Sequence, residues 1–290
     1  MKKIITLLLT LLLISACSNS NMYSSLSDGD DVLFTGPNNY SYSKKDLYNS
    51  LKISSYDVLP SVLLRSIANH YDSIDFAELE KRADEEIEFY KEIGYEPYII
   101  QNYGTLEAYK DAYVSSMTSM ELAKIYVEDN LSEMVSESSP VKMQIAAFET
   151  EEDAQNCLND VNSGSTFDMA AVNNNSTNNP ESAVYLDTDT SLPYEVKEYV
   201  NQVNGMGLST IIPSTTTSTN TDGTTSENTT YYLVNIESRH ENEFHEEFVE
   251  AMAATLEARN VNEYFFKKHK IEFFDQDLYE IITSNYEVLK

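Results

Sequence analysis

The chain has 290 residues, with 19 Lys and Arg against 48 Asp and Glu, for a net charge of −29. A surface this acidic repels the phosphates of nucleic acid, which need a basic patch, so nucleic acid is excluded as a partner. The length allows one large domain or two small ones with a real core, and 21 tyrosines with no tryptophan give an unusual supply of amphipathic rings.

Residues 1–16 read as a signal peptide. Lys2 and Lys3 are followed by an apolar run from Ile4 to Ile14 and then by Ser15-Ala16-Cys17. The apolar run is too short for a stable bilayer anchor, and no later run approaches the ~20 residues needed to cross one. Ile14-Ser15-Ala16-Cys17 resembles the lipobox of bacterial lipoproteins, in which the cysteine is acylated and becomes the new N-terminus. This predicts lipidation of Cys17 and a mature chain of net charge −31, after loss of Lys2 and Lys3. Anionic head groups would hold the folded part away from the membrane. With Cys17 acylated, Cys157 has no intrachain partner. Its acidic helical context predicts a small core thiol with a raised pKa.

Residues 17–31 are small and polar, a flexible tether. Val32-Leu33-Phe34 and Tyr40-Ser41-Tyr42 flank Gly36-Pro37-Asn38-Asn39 and predict a hairpin. Ser43-Lys44-Lys45-Asp46 is a helix-capping pattern. Val58, Val62, Leu63 and Ile67 fit one helix with Pro60 in its first turn. Phe76, Leu79, Ala83, Ile87 and Tyr90 mark a second helical stripe; Leu106, Tyr109, Tyr113, Met120 and Val127 mark a third.

After Pro140 the pattern changes. Val141–Phe148 predicts a strand, and a helix follows from Thr150 to Val161 with Thr150 as its cap. A short helix at Phe167–Val172, a strand at Ala183–Leu186 and a helix at Leu192–Val203 come next, then strands at Leu208–Ile212 and Tyr231–Ile236. Between the last two lies a low-complexity Thr/Ser hairpin, Pro213–Thr230. Residues 140–239 thus form a β-α-α-β-α-β-β module. Helical spacing returns through Phe244, Phe248, Met252 and Leu256 and ends near Lys267-Lys268-His269-Lys270, with a last strand expected at Ile271–Phe274. The expected fold class is α+β: a mainly helical domain built from residues 32–139 and 240–290, with the module at 140–239 inserted. Residues 132–139 and 237–242 are the expected polar connections.

This organisation resembles the PrsA-type foldases, lipoproteins on the outer face of the membrane in Gram-positive bacteria. The resemblance is carried by Val32–Leu51 and Val141–Ile145, then Gly164–Ala170 and Leu192–Val196. Gly207–Ser209, Tyr231–Val234 and Lys270–Asp275 complete it. It implies a helical chaperone domain and a parvulin-type peptidyl-prolyl isomerase module. Active parvulin modules carry His in the first strand, Asp or Cys after the second helix, and His in the last strand. Here Gln144, Ser182 and Tyr232 fall at those positions. None of the four histidines, His70, His240, His245 and His269, lies within 140–239. The apolar wall for a substrate proline falls on Leu192, Val196 and Leu208.

Prolyl isomerisation needs no covalent step. Its barrier of ~18–20 kcal/mol falls when the amide is twisted in a desolvated slot. Gln144, Ser182 and Tyr232 retain hydrogen-bonding groups, but the replaced histidines predict weak or absent activity. The expected function is a membrane-anchored extracytoplasmic chaperone for unfolded exported proteins. The alternatives are a weakly active isomerase, and a surface adhesin whose exposed tip is the Thr/Ser hairpin. No cofactor or metal is expected, and homodimerisation is left open. His240-Glu241-Asn242-Glu243-Phe244-His245 is one residue too long for a zinc-protease HExxH, so its two histidines cannot face one ion on a helix.

Overall fold

A computed structural model describes residues 28–35, 41–219, 225–272 and 276–284. The first elements are strands β1 (Val32–Thr35) and β2 (Ser41–Ser43), followed by helices α1 (Lys44–Ala68), α2 (Phe76–Glu92), α3 (Glu96–Tyr103), α4 (Leu106–Asp129) and α5 (Leu131–Ser138). Next come β3 (Val141–Phe148), α6 (Glu151–Asn162), α7 (Phe167–Asn173), β4 (Ala183–Tyr185), α8 (Tyr194–Gln202), β5 (Gly207–Leu208), β6 (Ile212–Thr219) and β7 (Thr225–Ser238). Helices α9 (His245–Thr255), α10 (Ala258–His269) and α11 (Gln276–Thr283) complete a mixed α+β, mainly helical fold. The contacts divide the chain into two compact units. The first takes the residues up to Ser119 and those from Glu257 onward; the second is Met120–Leu256.

In the first unit β1 and β2 pair antiparallel, with Val32 opposite Ser43. The turn expected at 36–39 lies outside the described residues. Ser43 caps α1. Its Oγ accepts the Asp46 N–H at 3.2 Å, and the Asp46 carboxylate accepts the Ser43 N–H at 2.8 Å. These two bonds satisfy donors that the helix start leaves open. The Asp46 carboxylate accepts from the Ser43 N–H and also from its hydroxyl, and these bonds hold its pKa below the usual value. Pro60 does not open a helix, as its sequence context suggested. Helix α1 runs through it. An interior proline costs about 3 kcal/mol. The capping box and the burial of Leu64, Ile67 and Ala68 offset that cost.

Helix α2 is capped by Asp75, whose Oδ1 accepts the N–H groups of Ala77 and Glu78, and it buries Leu79, Ala83 and Ile87 as its spacing predicts. Helix α3 stops at Gly104, whose φ of +81° suits a residue without Cβ. In α4 the buried face matches the expected stripe at Val127 and departs from it elsewhere. Val114, Leu122 and Val127 are buried, whereas Tyr109 and Tyr113 are half-buried and Met120 is exposed. Helices α10 and α11 pack on α1. Phe265 and Phe266 of α10 are fully buried, and the Tyr71 ring meets Phe265 edge-on at 5.8 Å.

The second unit is built on an antiparallel sheet of order β4-β3-β7-β5, with β6 also pairing along β7. Strand β7 is long. Residues 231–238 lie against β3, and residues 225–232 form a ribbon with β6 in which Ser218 stands opposite Ser226. The alternation of side chains gives the sheet two apolar faces. Met143, Ile145, Val234 and Ile236 pack with Val196 and Val200 of α8. Ala146, Phe148 and Leu233 pack with Cys157 of α6 and Phe167 and Ala170 of α7. Thr150 caps α6 by accepting the Asp153 N–H at 3.1 Å.

Three further features differ from the sequence expectation. Residues 132–139, read as a connection, lie mostly in α5, which buries Met134 and Ser138. The apolar run from Phe244 to Leu256 is not continuous with the last helix. Leu256 is extended (φ −73°, ψ 138°) and separates α9 from α10. Phe244 and Phe248 are fully buried within the second unit, where α9 contacts β4. The expected last strand is absent at 271–272, and residues 273–274 lie outside the described part.

Candidate functional site

The three positions matched to parvulin catalytic residues do not converge. Gln144 sits on β3 opposite Asn235 and projects to the same face as Ala146 and Phe148. Tyr232 stands opposite Ala147 and packs on the other face, against the Val196 core. A sheet therefore separates Gln144 from Tyr232. Each side chain also has structural work. Gln144 Nε2 donates to the Pro180 carbonyl at 3.1 Å, and Asn235 Nδ2 donates to Gln144 Oε1 at 3.0 Å. Ser182 Oγ donates to the Glu237 carboxylate.

A feature missed in the sequence is the part played by the Asn-rich loop 173–180. Asn178 accepts the Ala147 N–H and donates to the Ile145 carbonyl, both at 2.8 Å. The Thr177 N–H donates to the Ala147 carbonyl at 2.8 Å. The loop thus closes the edge of β3 beyond β4, which a run of asparagines can do because each amide supplies both donor and acceptor.

The wall residues separate as well. Val196 is 0% exposed, inside the α8 core, with Leu192 half-buried against the same core. Leu208 packs on the α6–α7 core instead. The cavity beside Leu192, lined also by Val141, Met143, Tyr185 and Val200, holds about 20 Å³. That is room for one water, not for a prolyl ring. Cys157 is fully buried, and burial, reinforced by the Asp160 charge, pushes its thiol up to about 11. It is an inert core group. Cys17 lies outside the described residues.

His245 shows what the His240–His245 stretch does. Glu241–Glu243 is a 3-10 turn and His245 opens α9. Its Nδ1 bonds to Glu241 and its Nε2 to Glu128 at 2.9 Å. Those bonds raise the imidazole pKa above 6.5. Among the described residues no group of three His, Cys, Asp or Glu side chains is placed to hold a metal ion.

The first unit carries a different kind of surface. Seven rings touch in sequence around the α2–α3 corner. Phe89 meets Tyr90 at 5.7 Å, Tyr90 meets Tyr95 at 6.0 Å and Tyr95 meets Tyr98 at 5.3 Å. Tyr109 joins Tyr90 at 6.1 Å, Tyr103 at 5.0 Å and Tyr113 at 6.1 Å. Ile99, buried, anchors α3, while Phe89 (54% exposed), Tyr95 (49%), Tyr98 (59%) and Tyr103 (47%) face water. Ile93 and Ile100 extend the exposed apolar area. Burial, with the neighbouring Tyr90 and Glu86, pushes the Tyr109 phenol up to about 12, so it stays neutral. In the sequence Tyr90, Tyr109 and Tyr113 read as core stripes. The signal for a surface was the tyrosine count itself. An aromatic surface of this kind makes adaptable contacts to apolar polypeptide at low entropic cost.

No family model matches the sequence, and no curated protein matches it. Among solved structures the chain is similar to the foldase protein PrsA from Streptococcus pneumoniae at 19% identity and a TM-score of 0.47, over 88% of this chain and 99% of that one. It is similar to the peptidylprolyl isomerase PrsA from Bacillus cereus at 16% identity and a TM-score of 0.44, over 90% and 100%. PrsA from Lactococcus lactis matches at 14% identity and a TM-score of 0.44, over 88% and 98%.

Proposed function

We propose that this chain is an extracytoplasmic chaperone of the foldase type, tethered to the outer face of the membrane through a lipid on Cys17, that binds unfolded segments of exported proteins without isomerising their prolyl bonds. The carrying observation is the contiguous, half-exposed aromatic surface of the first unit. The separation of Tyr232 from Gln144 across the sheet, with Gln144 and Ser182 both engaged in structural hydrogen bonds, supports a binding role for the module at 140–239 rather than a catalytic one. The chaperone domain of this reading is assembled from 32–139 and 240–290 around that module; the return of the chain to the first unit at Glu257 supports an insertion, with residues 120–139 and 240–256 falling on the module's side of the division. No helix among the described residues is long and apolar enough to cross a membrane, so the reading relies on the lipid for attachment.

The test is suppression of aggregation of a denatured test protein, run beside a protease-coupled proline-peptide assay. Suppression at a few-fold molar excess, with no isomerisation above background, is the expected result. A catalysed rate that disappears on Tyr232→Ala or Gln144→Ala would establish an isomerase instead, and no suppression at any excess would remove the chaperone reading.

A further inference from the structure

The aromatic surface sits in a field of carboxylates that restricts what it can hold. Between residues 76 and 113 the chain has ten Asp and Glu against four Lys and Arg. Three of those four bases are occupied. Lys81 pairs with Glu78 and Glu85, Lys91 with Glu88 at 2.7 Å, and Lys110 with Asp84 at 2.6 Å. Seven of the ten acids lie on α2. There an open hollow of about 590 Å³ is lined by Glu80, Asp84, Glu85, Glu88 and Glu92 together with Lys81 and Phe89. Phe89 is also the first ring of the aromatic series, so the acidic hollow and the aromatic surface are continuous.

We propose that this combined surface takes extended polypeptide segments in which Lys or Arg side chains are interspersed with aromatic or aliphatic ones, the cations entering the α2 hollow and the apolar side chains lying on Tyr95, Tyr98 and Tyr103. The proposal rests on the polypeptide-binding reading above and narrows its clients to cationic–apolar stretches. Charge complementarity is the argument. An acidic segment, or a second copy of this chain, brings carboxylates against carboxylates, whereas a Lys or Arg gains both an ion pair and the face of a tyrosine ring. Four of the hollow's five acids already pair, Glu80 with Arg65, Asp84 with Lys110, Glu85 with Lys81 and Glu88 with Lys91, so a partner cation enters by exchanging with these exposed, weak pairs, drawn by the net negative charge of the region. The attraction is a surface effect and weakens as salt shortens the screening length from ~10 Å at 0.1 M to ~3 Å at 1 M.

The test is fluorescence anisotropy of the full chain with three labelled unstructured peptides of one length: Lys alternating with Phe and Leu, the same with each Lys replaced by Glu, and the same with each Lys replaced by Ser. The Lys peptide should bind at least roughly tenfold more tightly than the Glu peptide, with the gap closing in high salt. The double substitution Tyr95→Ser, Tyr98→Ser should weaken the Lys peptide by about tenfold, while Tyr95→Phe, Tyr98→Phe should bind as the unaltered chain does. Glu88→Gln with Glu92→Gln should reduce the preference for Lys over Ser. These side chains are exposed, and an unchanged melting curve verifies the fold. Equal binding of Lys and Glu peptides overturns the proposal, as does binding indifferent to the Tyr→Ser pair. A change in sedimentation of the protein alone on that pair also overturns it, because the occupant would then be a second copy. Aggregation suppression measured on the same proteins separates the two levels. If suppression persists without a Lys preference, this assignment fails and the chaperone reading stands; if the Lys preference holds without suppression, the reverse is true.

Discussion

His245 opens α9 with Glu241 on Nδ1 and Glu128 on Nε2, and both bonds raise its pKa. His269, at the end of α10, is shifted the other way. Burial lowers its pKa first, then the nearby His70 and the Lys268 charge, while the Tyr71 hydroxyl lies 3.0 Å from its Nε2. The signs follow from linkage. A raised folded pKa gives His245 a contribution that is fully present below the unfolded value of about 6.5 and is lost as pH rises through the folded pKa. The lowered pKa of His269 gives a contribution present above about 6.5 and lost as pH falls through the folded pKa. Melting curves at about pH 5.5 and about pH 8 should therefore separate the two substitutions. His245→Gln should destabilise more at the lower pH, and His269→Gln more at the higher. The same direction for both would remove this account.

At the scale of elements, strands and caps were legible because each has a local cause. Ser43, Thr150 and the Val141–Phe148 alternation act through bonds or faces within a few residues of themselves. What was not legible depends on partners far along the chain. Nothing near Pro60 announces that burial of Leu64 and Ile67 will hold α1 together across it. Nothing near Leu256 announces that Phe248 and Phe265 belong to different units. The Gln144 and Tyr232 positions were readable one by one, but their placement on opposite faces is set by the β3–β7 register. Two predictions belong here. Pro60→Ala should stabilise by up to about 3 kcal/mol, seen as a higher melting temperature, since it restores a helix donor and removes a ring clash. A lower one would mean that the proline is fitted to its surroundings. Residues 215–219 and 225–228 of the β6–β7 ribbon are exposed. Replacing 215–229 by a two-residue Asn-Gly turn should leave stability within about 0.5 kcal/mol. It should also leave aggregation suppression unchanged; loss of suppression would place client binding on the ribbon.

For the whole molecule, the first unit is made from two stretches far apart in sequence. Ending the chain at Leu256 removes Phe265 and Phe266, both fully buried. Burying a phenylalanine is worth about 3–5 kcal/mol against its removal, and total stabilities are about 5–15 kcal/mol. The truncated protein should thus lose protected amides in residues 60–119 while keeping them in β3 and β7, measured by hydrogen exchange. Protection retained throughout α1 and α2 would show that the N-terminal helices stand alone. The discontinuity also imposes an order in time. A chain that emerges N-terminus first exposes the α2–α3 tyrosines early, completes the contiguous unit Met120–Leu256 next, and can close its first unit only after residues 257–290 appear. At ~5–20 residues per second that last stretch alone takes roughly 2–7 s. During that interval the protein is itself an unfolded segment bearing exposed rings, and its many carboxylates keep such half-made copies from one another.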